Sequence, residues 1–242
     1  MTTNINDQLV LIVGESATGK SASLRNLENV IYMNCEAGKR LPFKPKNFLE
    51  GVITDPEKVY TTFVRAESLQ THHTIVVDGL NFLMDMYESL YVVNADDGRS
   101  AWNNYNQYFK NLMQQYVAKS SKSVVFIAHA QTLYNEQAMA MEVKVPIKGG
   151  LRKNQGVEPY FSCIVSAKKK TIAELEVFPE HPYLNITAQE RALGFKHVLQ
   201  VQPTGDTIKE VIRSPMGLFE PTEIYIDNDI NIVLNKLKTF YS

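Results

Sequence analysis

Cysteine is scarce: the chain of 242 residues carries two, Cys35 and Cys163. Two thiols so far apart build neither a disulfide framework nor a four-ligand zinc site, and both are expected to be reduced and buried. Long hydrophobic runs are missing as well. Leu9–Val13 is too short for a signal-peptide core or a membrane span, and Met1–Gln8 has no basic stretch. A soluble, intracellular protein without a membrane partner is expected. No Pro/Gly/Ser linker, repeat or low-complexity tract divides the chain, so residues 1–242 read as one domain. Net charge is nearly absent too, with 25 basic against 26 acidic residues giving -1. That excludes an all-over basic surface, and any nucleic-acid contact must come from a local patch. At 44% hydrophobic and 21% charged, the composition excludes a disordered or collagen-like chain.

What is present is alternation. Leu9–Val13, Val30–Met33, Thr74–Val77 and Val124–Ala128 read as buried strands. Between them, Ser21–Leu27, Glu57–Ser68, Leu80–Tyr91 and Ala101–Lys119 carry helical patterns. In the last of these, Trp102, Tyr105, Phe109, Leu112, Met113 and Tyr116 form a stripe that reads as core rather than as a stacking platform. Strand–helix alternation predicts an α/β fold with a largely parallel central sheet flanked by helices. The second half changes character. Tyr160–Ala167 and Ala173–Phe178 read as a hairpin around the Lys168–Lys170 turn. His197–Val201 and Glu223–Ile226 read as further strands, making an antiparallel C-terminal extension. Asp227 is a candidate N-cap for a closing helix bearing Ile230, Val233, Leu234, Leu237 and Phe240.

Directly after the first strand comes Gly14-Glu15-Ser16-Ala17-Thr18-Gly19-Lys20-Ser21, which fits G-x-x-x-x-G-K-[ST]. A loop of this composition curls so that its N–H groups point at phosphate oxygens, and a following helix would add its dipole. Lys20 should reach the β- and γ-phosphates of ATP, and Ser21 should ligate Mg²⁺.

A magnesium-side acid belongs at the carboxyl end of another buried strand, and Asp78 ends Thr74–Val77-Asp78. Many P-loop ATPases place a water-activating glutamate next, but Gly79 follows here. The strand Val30–Met33 instead runs into Asn34-Cys35-Glu36, so Glu36 lies at the same sheet edge and could orient or deprotonate water. Ser123–Ala128 ends in His129, with Gln131 beyond, where a polar group could touch the γ-phosphate.

The P-loop, the strand-end Glu36, Val-Val-Asp78-Gly79 and Val-Phe-Ile-Ala-His129 occur in the order of a RecA-type P-loop ATPase core. The chain most resembles small phage proteins reduced to that core, the Sak-type single-strand annealing ATPases related to the RecA/Rad recombinases. That resemblance implies a RecA-like fold, Mg-dependent ATP hydrolysis, and homo-oligomers, as rings or filaments, on single-stranded DNA. It also implies a cytoplasmic location (the host's, if phage-encoded) and a single-strand-binding protein as a further partner. It makes Glu36 the catalytic base and His129 the phosphate sensor, where many relatives have glutamine. It puts the DNA-binding loop at about 131–158, with Lys144, Lys148, Arg152 and Lys153 as contacts and Gly149-Gly150 supplying flexibility. A cation from the neighbouring subunit would complete each site. Lys209 and Arg213 are the candidates, although their spacing is wider than the usual Lys-x-Arg.

Charge agrees with that location. Lys119 to Lys170 holds nine basic residues and three acids, so 9 − 3 = +6, while the remainder carries −7. Other readings stay open at this point. One is a helicase-like motor in replication or packaging, although no accessory helicase domain is visible. Another is a small-molecule kinase, against which stands the lone Arg99 where an arginine-rich lid would be needed. A nucleotide-dependent scaffold with an idle site is the last.

Overall fold

Alternation along the first strand explains the layering. Leu9, Leu11 and Val13 face one apolar core, and Val10 and Ile12 face another. Both faces of the strand are therefore covered, as a parallel sheet requires. The computed structural model describes residues 6–135, 139–154 and 156–242, without the side chains of 135, 140 and 152–154.

In chain order the described elements are β1 (Leu9–Gly14), β2 (Glu28–Asn34), β3 (Lys46–Val52), α1 (Glu57–Ser68), β4 (Thr74–Asp78), α2 (Leu80–Tyr91) and α3 (Gly98–Asn111). Then come β5 (Ser123–His129), β6 (Gln131–Asn135), β7 (Ala140–Lys144), α4 (Gly149–Asn154), β8 (Cys163–Thr171) and α5 (Ile172–Leu175). The chain closes with α6 (Ala188–Leu193), β9 (Phe195–Gln200), β10 (Tyr225–Asp227) and α7 (Ile230–Phe240). The central sheet has eight strands in the order β10-β9-β8-β1-β5-β4-β2-β3. From β3 to β8 every neighbouring pair is parallel, whereas β9 runs antiparallel to both β8 and β10. This is the expected α/β architecture, a mostly parallel sheet flanked by helices with an antiparallel C-terminal strand pair. Helices α1, α2 and α3 cover one face; α7 and the turn after the P-loop cover the other. Strands β6 and β7 form a separate two-stranded hairpin.

Helices α1 and α2 match the sequence periodicity residue for residue. The aromatic stripe of α3 is core: Tyr105, Phe109, Leu112 and Met113 are buried. The helix starts earlier than its apolar pattern, because Asp97 caps the N–H groups of Arg99 and Ser100, and it ends in a π-helical turn over Leu112–Val117.

Four expectations need correction. The segment after the P-loop is a single 3₁₀ turn, Ser21–Leu24, rather than a helix to Leu27. A helix over 21–27 would rise only about 10 Å, half of the about 20 Å that a six-residue strand spans. The chain must return to the start of β2 at Glu28 within those residues, so it stays more extended. Second, Lys168–Lys170 is no turn but the end of β8, paired with Lys196–Val198 of β9. Third, residues 173–178 are no strand. Thr171 and Glu174 form a capping box that starts α5, with Thr171 Oγ1 accepting from Glu174 N. Fourth, Asp227 ends β10, and the cap of α7 is Asp229, whose carboxylate accepts from Asn231 N at 3.0 Å.

Candidate active site

The P-loop crosses the carboxyl edge of β1 and borders a cavity of about 660 Å³. Lys20 is 6% exposed. Its ammonium donates to the carbonyls of Gly14 (2.9 Å) and Glu15 (2.6 Å) and lies 3.4 Å from His129 Nδ1. Burial pulls the Lys20 pKa down to about 8, against the pull of Glu36 and with help from Lys39. A desolvated cation of this kind gains from an anion placed beside it. Thr18 Oγ1 donates to the Glu15 carbonyl at 2.9 Å and closes the loop on itself. Ser16, Ala17, Gly19, Lys20 and Ser21 line the cavity. Because a single 3₁₀ turn follows, the loop N–H groups and Lys20 rather than a helix dipole are what can bind phosphate here.

Asp78 is 2% exposed at the end of β4. Its Oδ2 accepts from Ser21 Oγ (2.9 Å) and from the Tyr32 hydroxyl (2.7 Å). Its Oδ1 is buried and accepts no hydrogen bond among the described residues. Burial raises the Asp78 pKa, against the Tyr32 and Ser21 hydrogen bonds that lower it. A buried carboxylate with one oxygen lacking a partner, touching a P-loop hydroxyl, fits a divalent cation shared with phosphate oxygens. Among the described residues no group of three or more His, Cys, Asp and Glu could hold a metal without such help.

Glu36 follows β2, and its side chain is 9% exposed. Lys39 Nζ donates to its Oε2 at 2.8 Å, and His129 Nε2 lies 3.2 Å from its Oε1. Burial acts to raise the Glu36 pKa, but Lys39 and then His129 hold it below the usual carboxylate range. Gly79 makes this position attainable. Its φ is +98°, and a Cβ there would stand 2.8 Å from Glu36 Cγ. The place next to Asp78 where many P-loop ATPases carry a glutamate side chain is thus filled from the segment after β2. His129 ends β5, and its N–H donates to Asn81 Oδ1 at 2.7 Å, while Asn81 Nδ2 donates to the Pro146 carbonyl at 2.9 Å. Lys20, Ser21, Asp78, Glu36 and His129, picked from four separate stretches of sequence, are therefore brought together. This can bind a polyphosphate and hold a carboxylate where it could orient water.

Several participants carry no motif. Tyr32 was legible only as a strand residue, Lys39 only as one charge of a polar stretch, and Asn81 only as a helix residue. Two more hold the P-loop from the C-terminal extension. His197 Nε2 donates to the Ala17 carbonyl at 3.4 Å, and Asn228 Nδ2 donates to the Gly19 carbonyl at 2.9 Å. Both cysteines are buried and free, and burial pushes both thiol pKa values up, that of Cys163 to about 12.

The described part of the basic region holds β6, β7 and α4. Gly149 and Gly150 pack on α3: a Cβ at Gly149 would meet Trp102 at 2.8 Å, and one at Gly150 would meet Asn106 at 2.6 Å. These glycines serve close approach, which corrects the expectation of flexibility. Lys144 pairs with Glu142 at 2.5 Å, and Lys148 with Glu88 at 2.6 Å. Both line a second cavity of about 620 Å³, together with Phe82, Gln131 and His129. The side chains of Arg152 and Lys153 lie outside the described residues. Arg213 donates to the Glu158 carbonyl at 2.8 Å and to the Phe161 carbonyl, so its guanidinium is engaged in its own chain. Lys209 is exposed, and its carbonyl accepts from Val143 N at 3.2 Å. No helix among the described residues is long and apolar enough to cross a membrane.

A family model described as "AAA domain" matches residues 6–205, which includes every residue of the site named above except Asn228 and the outlying Lys209 and Arg213. No curated protein matches the chain.

Proposed function

The chain belongs to the AAA-domain family of P-loop ATPases, and from that premise we propose that it is a Mg-dependent ATPase that assembles on single-stranded DNA and promotes annealing or recombination, as a relative of the RecA-type Sak ATPases. The observation that carries the ATPase reading is the convergence of Lys20, Ser21, Glu36 and His129 on one cavity, with Asp78 hydrogen-bonded to Ser21 behind it. Lys20 and the loop N–H groups bind the phosphates. Ser21 and Asp78 hold Mg²⁺, which supplies neutralisation of the phosphate oxygens. Glu36 orients the attacking water and accepts its proton on the carboxylate. Lys39 and His129 fix that carboxylate in place, and His129 meets the γ-phosphate end of the site.

Support for a DNA partner comes from the second cavity. It shares His129 with the first and carries Lys144, Lys148 and the 42%-exposed Phe82. Lysines beside an aromatic ring suit a single strand once its phosphates replace their carboxylate partners, Glu142 and Glu88. The Asn81 bridge from His129 N to the Pro146 carbonyl supports coupling between the two cavities. Lys209, exposed beside the β6–β7 hairpin, is our candidate for the cation supplied to a neighbouring subunit. The test is ATP turnover with and without single-stranded DNA, with binding measured across salt. Stimulated turnover and salt-sensitive binding are expected. One turnover rate in both conditions, with no binding at low salt, refutes the DNA role.

A further inference from the structure

Sheet order divides the P-loop cavity into two ends. Strands β5 and β4, which end in His129 and Asp78, and β2, which Glu36 follows, lie on one side of β1; β8 and β9 lie on the other. The γ-phosphate end is therefore over β5–β2. The cavity continues past Ala22 and Arg25 to Leu193, Phe195 and His197. These last three come from the C-terminal extension. Because β9 runs antiparallel to β8, its first residues reach the carboxyl edge where the loop sits. Phe195 and His197 are two apart and share a face. Their rings meet edge to face at 5.7 Å, and the Lys169 ammonium stands 3.8 Å over the Phe195 ring. Leu193, the last residue of α6, is 59% exposed.

Polar groups at this end are largely engaged among themselves. Thr187 and Glu190 satisfy each other in the capping box of α6, and Glu190 also pairs with Lys196 at 2.7 Å. His197 Nε2 is spent on Ala17, Asn228 Nδ2 on Gly19, and Arg25 on the carbonyls of Ala22 and Asn228. Asn228 Oδ1 is buried and accepts no hydrogen bond among the described residues, and Gln189 also lines the cavity; the rest of the surface offered to a ligand is apolar and aromatic.

Resting on the ATPase reading above, we propose that Leu193, Phe195 and His197 form the nucleobase wall of the site, which takes the base by stacking and apolar contact. A wall of this kind favours large flat rings. The protein should bind ATP and GTP more tightly than CTP.

The test is equilibrium binding of ATP, GTP, CTP and inorganic tripolyphosphate, each with Mg²⁺, to the full chain. Phe195→Ala should weaken ATP by roughly five- to a hundredfold, the span of one base–ring stacking contact, and leave tripolyphosphate affinity as it was. Leu193→Ala, at an exposed position where folding is not at risk, should weaken ATP by about two- to fivefold and spare tripolyphosphate likewise. ATP affinity unchanged in both variants, or CTP bound as tightly as ATP and GTP, overturns the wall. Wild-type protein that binds neither ATP nor tripolyphosphate overturns the ATPase reading itself.

Discussion

Gly79→Ala separates catalysis from nucleotide binding. Gly79 sits at φ +98°, a conformation that L side chains rarely adopt, and a Cβ there would approach Glu36 Cγ to 2.8 Å. The backbone strain alone costs about 2 kcal/mol, which lowers Tm by about 4–8 °C in a chain of this size. The larger effect is on position. To clear the methyl group, the Glu36 side chain must move by several tenths of an ångström or more. A displacement near 1 Å costs about a hundredfold in rate. The P-loop is not touched, since Lys20 donates its hydrogen bonds to the carbonyls of Gly14 and Glu15. ATP affinity should therefore change by less than about threefold while kcat falls by at least about tenfold. Binding by fluorescent nucleotide titration, turnover by phosphate release and Tm by calorimetry measure the three quantities. A variant with wild-type turnover, or with ATP affinity lost in step with rate, refutes the placement of Glu36 over Gly79.

Lys39→Ala removes the strongest of the groups that lower the Glu36 pKa, so that pKa rises. A depressed folded-state pKa keeps wild-type Glu36 ionised to low pH; the acid limb of the kcat profile should shift to higher pH in the variant, and an unchanged limb would remove Glu36 from the rate-determining ionisation. Arg213→Ala should lower Tm, because the guanidinium ties the 158–161 turn to the strand segment opposite Ile164. Lys209→Ala should instead lower the turnover of the assembled protein with Tm unchanged. The reverse pattern would exchange the two assignments.

The parallel core was legible because its strands are continuous apolar runs and α1 and α2 follow helical periodicity throughout. Lys46–Val52 was not, since β3 is an edge strand, mostly exposed, with charged and polar residues where a buried strand would be apolar. The lysines of β8 looked like a turn because like charges repel. In the fold each is separately neutralised or stacked: Lys168 on Glu210, Lys169 on Phe195, Lys170 on Glu174. The Thr171–Glu174 capping box stood in the sequence and outweighs the β-like pattern of Ala173–Phe178. At the site, residues within a motif or at the end of an apolar strand were readable. Tyr32, Lys39, Asn81, His197 and Asn228 act through contacts made by sheet pairing and chain return, which no local spacing announces.

ATP binding and turnover of Glu36→Gln, measured side by side with wild type, test the central claim most directly. The side chain keeps its size, so the fit over Gly79 and the P-loop are preserved while the proton acceptor is lost. ATP binding should persist and hydrolysis should fall by roughly a hundredfold or more. Hydrolysis at the wild-type rate would contradict the account and move the base to another residue.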